Sequence, residues 1–208
     1  MAGRRKWRSL SDTIETIPDC FGARQQMKER PVVRLDLFSA ASFDRGRSRL
    51  VEALWIVMQA LFVSSVVPGS VHRRFLLRAF GAVIGKGIVV KTGVRIKFPW
   101  RLVVGDHSWI GEGAWIDNLA EVRIGAHCCI SQGAYLCTGS HDWTKSQFDL
   151  IVRPIVIGDG AWIGANTSVA PGTVVGEGAV LTMGSVARGL LEPRRIYRGN
   201  PAVAVASR

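Results

Sequence analysis

An aliphatic residue returns at every sixth position through most of the chain beyond Gly81. Ile84, Val90 and Ile96 open the series, followed by Val104, Ile110 and Ile116, then by Ile124, Ile130 and Leu136. After an interruption come Ile157, Ile163, Val169, Val175 and Leu181. Gly directly follows seven of these fourteen positions, and from Val104 onward the fourth residue after each is Ser, Ala, Cys or Thr. A period of six fits neither an amphipathic helix nor a simple strand alternation. It fits one short strand plus one tight turn, with the aliphatic inside, a small residue at the corner and Gly supplying positive φ. Three such units close a triangular coil, and coils stack at the ~4.8 Å strand spacing into a parallel β-helix. A β-sandwich would not hold this register through fourteen units.

The gaps in the series carry further information. Ile96 to Val104 and Ile116 to Ile124 are steps of eight, so two successive coils take two extra residues at the same corner. Leu136 to Ile157 is a step of twenty-one, which places an extended loop, residues 141–156, at that corner too. A long loop on a rigid scaffold is where chemistry concentrates.

Residues 1–83 have a different texture. Pro18 and Pro31 break an irregular start, and Leu50 to Val67 is an apolar run of eighteen residues interrupted by Glu52, Gln59, Ser64 and Ser65. That length is the lower limit for a membrane span, and arginines stand on both sides of it (Arg45, Arg47 and Arg49; Arg73, Arg74 and Arg78). A helix packed on the protein or lying at a membrane interface fits better. The chain thus divides into a mainly helical N-terminal segment (1–83), a hexapeptide-repeat β-helix (84–186) and a C-terminal tail (187–208).

Composition sharpens this picture. Of 23 Gly, 18 fall between Gly81 and Gly189, as corner chemistry requires. The net charge of +11 is spread as scattered Arg, with Arg4, Arg5, Lys6 and Arg8 the one tight cluster. No nucleic-acid motif accompanies it, so nucleic acid is not expected as a partner. Residues 1–83 hold 14 basic and 7 acidic side chains, against 13 and 9 in the remainder. The four cysteines, Cys20, Cys128, Cys129 and Cys137, form no CxxC pair, so neither a disulfide framework nor a metal site is expected. The basic start runs into a polar stretch without the apolar core of a signal peptide, which points to the cytoplasm.

The hexads, the loop after TGSHDW, the run WIGANTSVAPGTVVGEGAVL and the closing GNPA resemble the hexapeptide-repeat acyltransferases, and within them the sugar O-acetyltransferases. VRLDLF, FDRGRSRLVEALW and ISQGAYLCTGSHDW are most similar to the colanic acid biosynthesis acetyltransferase branch. The resemblance covers about residues 32–202. It implies a left-handed sense for the β-helix, homotrimeric packing, and transfer of an acetyl group from acetyl-CoA to a hydroxyl of a saccharide or lipid-linked oligosaccharide. A non-catalytic β-helical scaffold is the competing reading; a lone His beside the one long interruption speaks against it.

His141 matches the family's general base. A neutral imidazole at physiological pH suits that role. Asp142 or another nearby carboxylate would orient its second ring nitrogen, unless Asp142 simply starts the loop. Asp117 and Asn118, on the face that carries His141 one coil later, are candidates to bond sugar hydroxyls, or else to satisfy a tight turn. Trp143 would stack on a sugar ring or anchor the loop. For acetyl-CoA, the resemblance points to Trp162, Ala165 and Met183 along a groove between neighbouring β-helices. Arg188-Gly189 stands where the family has Thr-Lys near the CoA phosphates, and the family's C-terminal arginines are missing from NPAVAVAS, which leaves Arg188, Arg194, Arg195, Arg198 and Arg208 as candidates to replace them. His107 and His127, twenty residues apart, should stack on neighbouring coils; a metal site shared with His141 would need them on one face, and none is expected. The flanking charge and the apolar helix suit peripheral contact with the inner membrane surface.

Overall fold

The computed structural model describes residues 31–208. The basic cluster at Arg4–Arg8, Pro18 and Cys20 lie outside the described residues. From Val83 onward the chain winds as a parallel β-helix of about six coils with three flat faces. The first face stacks Val83–Ile84, Leu102–Val104, Val122–Ile124, Ile155–Ile157, Val174–Val175 and Leu190–Leu191. The second runs from Val89–Val90 through Trp109–Ile110, Cys129–Ile130, Trp162–Ile163 and Val180–Leu181 to Arg195–Gly199. The third holds Arg95–Ile96, Trp115–Asp117, Tyr135–Cys137, Ser168–Val169 and Val186–Ala187.

All fourteen repeat aliphatics point inward, none more than 8% exposed. They stand in register along each face, as in Ile110, Ile130, Ile163 and Leu181, so the core is a set of aliphatic columns. The small residue four places on is buried in nine of its eleven occurrences. The exceptions, Ala120 and Ser140, both lie at the corner between third and first faces, where the extra residues enter. That corner is closed differently, by the buried stack Phe98, Asn118 and Thr138. Asn118 Oδ1 accepts from Phe98 N–H (2.9 Å), and its amide donates to the carbonyls of Phe98 (2.7 Å) and Arg101 (3.1 Å). Thr138 Oγ1 repeats the device one coil on, accepting from Ala120 N–H and donating to Asp117 O.

The loop leaves this stacking intact. Ile155 to Ile157 pair with Val122 to Ile124 as though no residues intervened. The coil also runs past residue 186: Ala187, Leu191 and Tyr197 are buried, and Ala202–Ser207 folds back antiparallel over Arg195–Gly199. The six-residue period shortens there, with four residues from Ala187 to Leu191, which hides the continuation from a periodicity search.

The other end of the prism is closed by helices. Helix α1 (Arg49–Met58), N-capped by Ser48, continues as one wide turn through Val63; helix α2 spans Val71–Ala79. An end coil has a row of unpaired backbone groups, which invites further pairing. Side chains of the cap take them up: Trp55 Nε1 donates to Ile96 O, Ser64 Oγ to Val94 O, and Arg74 to Ile88 O. Ser70 Oγ accepts from Val90 N–H. The apolar run therefore packs on the protein with one side, through Trp55 and Val63, both fully buried. No helix among the described residues is long and apolar enough to cross a membrane. Arg73 is buried inside the cap, its guanidinium surrounded by the carbonyls of Val63, Ser65, Val67 and Gly69; burial lowers its pKa from the usual arginine value.

Upstream of the cap, an irregular segment runs along the corner of the extra residues. Phe43 stacks on Phe98, and Arg101 donates to the carbonyls of Asp44 and Leu119. Replacing Asn118 with Ala should destabilise the fold by about 1–3 kcal/mol, since it strands the buried Phe98 N–H and removes the amide donor to the half-buried Arg101 carbonyl. Urea unfolding of the variant checks this, and an unchanged midpoint would contradict the corner role.

Candidate active site

The long insertion is an ordered arm. Gly139–His141 pairs antiparallel with Leu150–Val152, with Ser140 opposite Ile151 and His141 opposite Leu150. Arg153 N–H donates to Thr138 O across its neck, and Asp142 N–H to Asp149 O nearer its tip. The tip is tied by Thr144, whose N–H and hydroxyl both donate to Asp142 Oδ1, and by an ion pair of Lys145 with Asp149 at 3.0 Å.

His141 sits at the root of this arm in a mostly aromatic setting. Phe148 adopts φ +53°, a left-handed conformation that is uncommon for a bulky side chain and tends to mark functional sites. That conformation brings its carbonyl oxygen to 2.8 Å from His141 Nδ1. Its ring lies flat on the imidazole, centroids 4.2 Å apart and planes within 2°. Phe38, from the segment ahead of the cap, meets the other ring edge-on at 5.1 Å. Arg34 N–H donates to Ser146 O, so that segment is tied to the arm as well.

A carbonyl oxygen can only accept, so the Nδ1 contact requires a proton on Nδ1. In the neutral ring the lone pair is then on Nε2. A backbone carbonyl, not a carboxylate, orients the ring, and Asp142 is left in the other role the sequence allowed it, at the start of the loop. Asp142 is engaged by Thr144 and Lys145, and its carboxyl is held below the usual range chiefly by the Thr144 hydroxyl.

The remaining sequence-predicted residues divide among the corners. Trp162, Ala165 and Met183 come together in one groove of about 330 Å³ between second and third faces, with Ser131, Gln132, Leu181 and Thr182. Trp162 Nε1 donates to Ser131 Oγ at 2.9 Å, which fixes the indole along the groove wall. A Cβ on Gly164 would stand 2.6 Å from Leu181 O, so the coils approach this closely only with glycine there. His141 belongs to the opposite edge of the third face; one chain does not bring it to this groove. Arg188 is not in the groove either. It lines a separate depression of about 450 Å³ at the root of the arm, with Arg153, Ser140 and Gly172.

Of the acceptor candidates, Asn118 is corrected by its burial. Fully enclosed and bonded to the backbone on both sides of its amide, it is a corner clamp and presents nothing to a ligand. Asp117 sits at the edge of the third face, paired with Lys97 at 3.0 Å and accepting from the Tyr135 hydroxyl at 3.2 Å. Burial, with Cys137 and Asp117 alongside, pushes the Tyr135 phenol above its ordinary pKa. Trp143 is 61% exposed on the arm. His107 and His127 stack on each other, centroids 5.3 Å apart, at the third corner, both at left-handed turn positions that other coils fill with Gly87, Gly160 and Gly178. They do not approach His141, and no group of three potential metal ligands occurs among the described residues.

Phe148 and Phe38 are the residues that sequence reasoning missed. Nothing in FDL signals a left-handed Phe, and Phe38 reaches His141 across more than a hundred residues. Nitrogen-15 shifts of the His141 ring should report the Nδ1–H tautomer at neutral pH, unchanged in Asp142→Asn. An Nε2–H tautomer would contradict the geometry.

Comparison with known proteins agrees in sequence and in shape. Residues 154–189 match the family model described as bacterial transferase hexapeptide (six repeats). The chain is 41% identical, over 166 residues, to WcaF of Escherichia coli strain K12, a protein assigned as a colanic acid biosynthesis acetyltransferase; the match covers 80% of this chain and 91% of WcaF. Among solved structures, the hexapeptide-repeat-containing acetyltransferase VCA0836 of Vibrio cholerae superposes with a TM-score of 0.68 at 26% identity, over 76% of this chain and 90% of that one. The same protein complexed with acetyl coenzyme A gives a TM-score of 0.72 at 24% identity, over 83% and 96%. A galactoside acetyltransferase in complex with coenzyme A shares the fold, with a TM-score of 0.68 at 20% identity over 76% and 80%.

Proposed function

We propose, from the premise that this chain belongs to the hexapeptide-repeat acetyltransferases, that it moves an acetyl group from acetyl-CoA to a hydroxyl of a saccharide or exopolysaccharide precursor. The observation that carries the reading is His141, with Nδ1 held by Phe148 O and Nε2 left as the basic nitrogen. Nε2 takes the proton of the acceptor hydroxyl as its oxygen attacks the thioester carbonyl. The tetrahedral intermediate collapses with departure of the CoA sulfur, which receives that proton from the imidazolium. The ester forms, the thioester breaks, and His141 returns to its starting state. Backbone N–H groups along the groove are the proposed donors to the oxyanion.

The groove of Trp162, Ala165 and Met183 fits the pantetheine arm of acetyl-CoA. It is mostly apolar, and Gly164 in its wall lets the neighbouring coils stack closely along it. Arg188 and Arg153 supply cations near the root of the arm, where CoA phosphates or an anionic acceptor would gain from them. Because the groove and His141 occupy different corners, a complete site requires two copies, and a homotrimer with three shared sites satisfies this. The half-exposed Trp109 and Trp162 on the second face are surfaces that such packing would cover. Asp117 and Trp143 remain the proposed contacts to the sugar. Acetyl-CoA places the reaction in the cytoplasm, and a lipid-linked oligosaccharide acceptor would hold the enzyme peripherally at the inner membrane surface.

His141→Ala should lower kcat by ~10²–10⁴ with the melting temperature unchanged, measured as CoA release in a screen of free and lipid-linked saccharides. Near wild-type turnover would remove the base assignment. Trp162→Ala should raise KM for acetyl-CoA more than it lowers kcat; the opposite split would place Trp162 outside the donor groove.

A further inference from the structure

The helical cap has a second side, which the chemistry at the arm does not use. Leu50, Leu54, Val57 and Leu61 stand three or four residues apart along α1 and the turn that follows, each more than half exposed. Trp55 and Val63, on the opposite side, hold the same helix to the end of the prism. Val66 and Phe75 are bare as well, at 90% and 69%. Scattered apolar residues on a surface need no explanation, but a stripe of this length does.

Charge is concentrated at the same end. Residues 45–101, the cap and the first coil, contain eleven Lys or Arg and a single acidic residue, Glu52. Residues 102–208 contain eight Lys or Arg and nine acidic residues. Nearly all of the net +11 of the chain therefore belongs to one end of the molecule. Glu52 is itself neutralised by Arg45 at 2.7 Å.

We infer that this end docks on the anionic surface of a lipid bilayer, with α1 lying in the plane of the interface. A short helix with apolar residues on one side and flanking cations is the form that binds at the headgroup boundary. Each Lys or Arg near that boundary adds attraction to anionic lipid. The other occupants fit less well. A second copy meeting this face would bring two strongly positive ends together, and residues 1–30, with seven Lys or Arg against four acidic residues, have the same sign. A nucleic acid would take the cations and leave the leucines in water.

Docking in this way has a consequence for the acceptor, which rests on the acetyl-transfer reading. His141 belongs to the third coil, ~10 Å from the first along the prism axis by strand spacing. The segment from Arg34 to Asp44 runs between the arm and the capped end, along the same corner. A saccharide anchored to lipid would therefore approach His141 along that corner from the membrane side.

Sedimentation of the full chain with vesicles tests the docking. The chain should pellet with vesicles of phosphatidylcholine containing one-third phosphatidylglycerol and remain in solution with phosphatidylcholine alone. Leu54→Glu/Leu61→Glu should cut the bound fraction ~10-fold or more, with solution mass and acetyl transfer to a soluble saccharide unchanged. Arg47→Glu/Arg49→Glu should weaken binding to the anionic vesicles several-fold. The inference is overturned if the chain ignores both vesicle types, if the leucine variant binds as wild type, or if that variant loses mass, which would place the face between copies. Vesicle binding without any acetyl transfer would sustain the docking and sink the catalytic reading.

Discussion

Every coil of a parallel β-helix needs a neighbouring coil of the same outline to satisfy its backbone hydrogen bonds, and the rest of this molecule follows from that requirement. It enforces the six-residue spacing, because an aliphatic that slips by one position leaves its column and faces solvent. It explains why extra residues enter only at corners, and why those corners need Asn118 and Thr138 to close them. It also makes the two ends special. One is covered by α1 and α2, whose side chains pair carbonyls and amides of the first coil, and at the other Ala202–Ser207 folds back antiparallel along the second face.

A scaffold this regular has no internal cleft, so its chemistry is built on exceptions to the repeat. The arm at Gly139–Val152 is the largest exception, and its two strands pair antiparallel where a plain loop would have no ladder. Its own carbonyl, at a left-handed Phe148, sets the tautomer of His141, and two phenylalanine rings fix the plane of the imidazole. The groove beside Trp162 is the second feature, an indentation at a corner where Gly164, like the other glycines that follow repeat aliphatics, lets two coils approach closely. Because these features lie at different corners, the proposed reaction needs a site shared between copies.

The division between what was legible in the residues and what was not has a physical basis. Burial is periodic, so the fourteen aliphatic positions and the corner of the loop could be read directly. His141 was legible through its motif and its place beside the interruption. The partner of its Nδ1 was not, because a backbone carbonyl leaves no trace in side-chain chemistry. Asn118 looked like a polar residue on a face, yet its neighbours at Phe98 and Arg101 show a clamp. Continuation of the prism past residue 186 was hidden by a change of spacing and by Ala187, which is too small to stand out. The apolar run of residues 50–67 was ambiguous between packing and an interface because its two sides do different things.

In the proposed enzyme, His141 of one copy works on acetyl-CoA held in the groove of another. Mixing two inactive variants probes that arrangement: His141→Ala, which keeps the groove, and Trp162→Glu, which blocks the groove but keeps the base. After the mixed chains are unfolded and refolded together, CoA release with a saccharide acceptor should reappear at roughly a quarter of the wild-type level, as random assembly of a closed ring allows. Mixtures as inactive as their parents, assembled to the wild-type mass, would contradict a shared site.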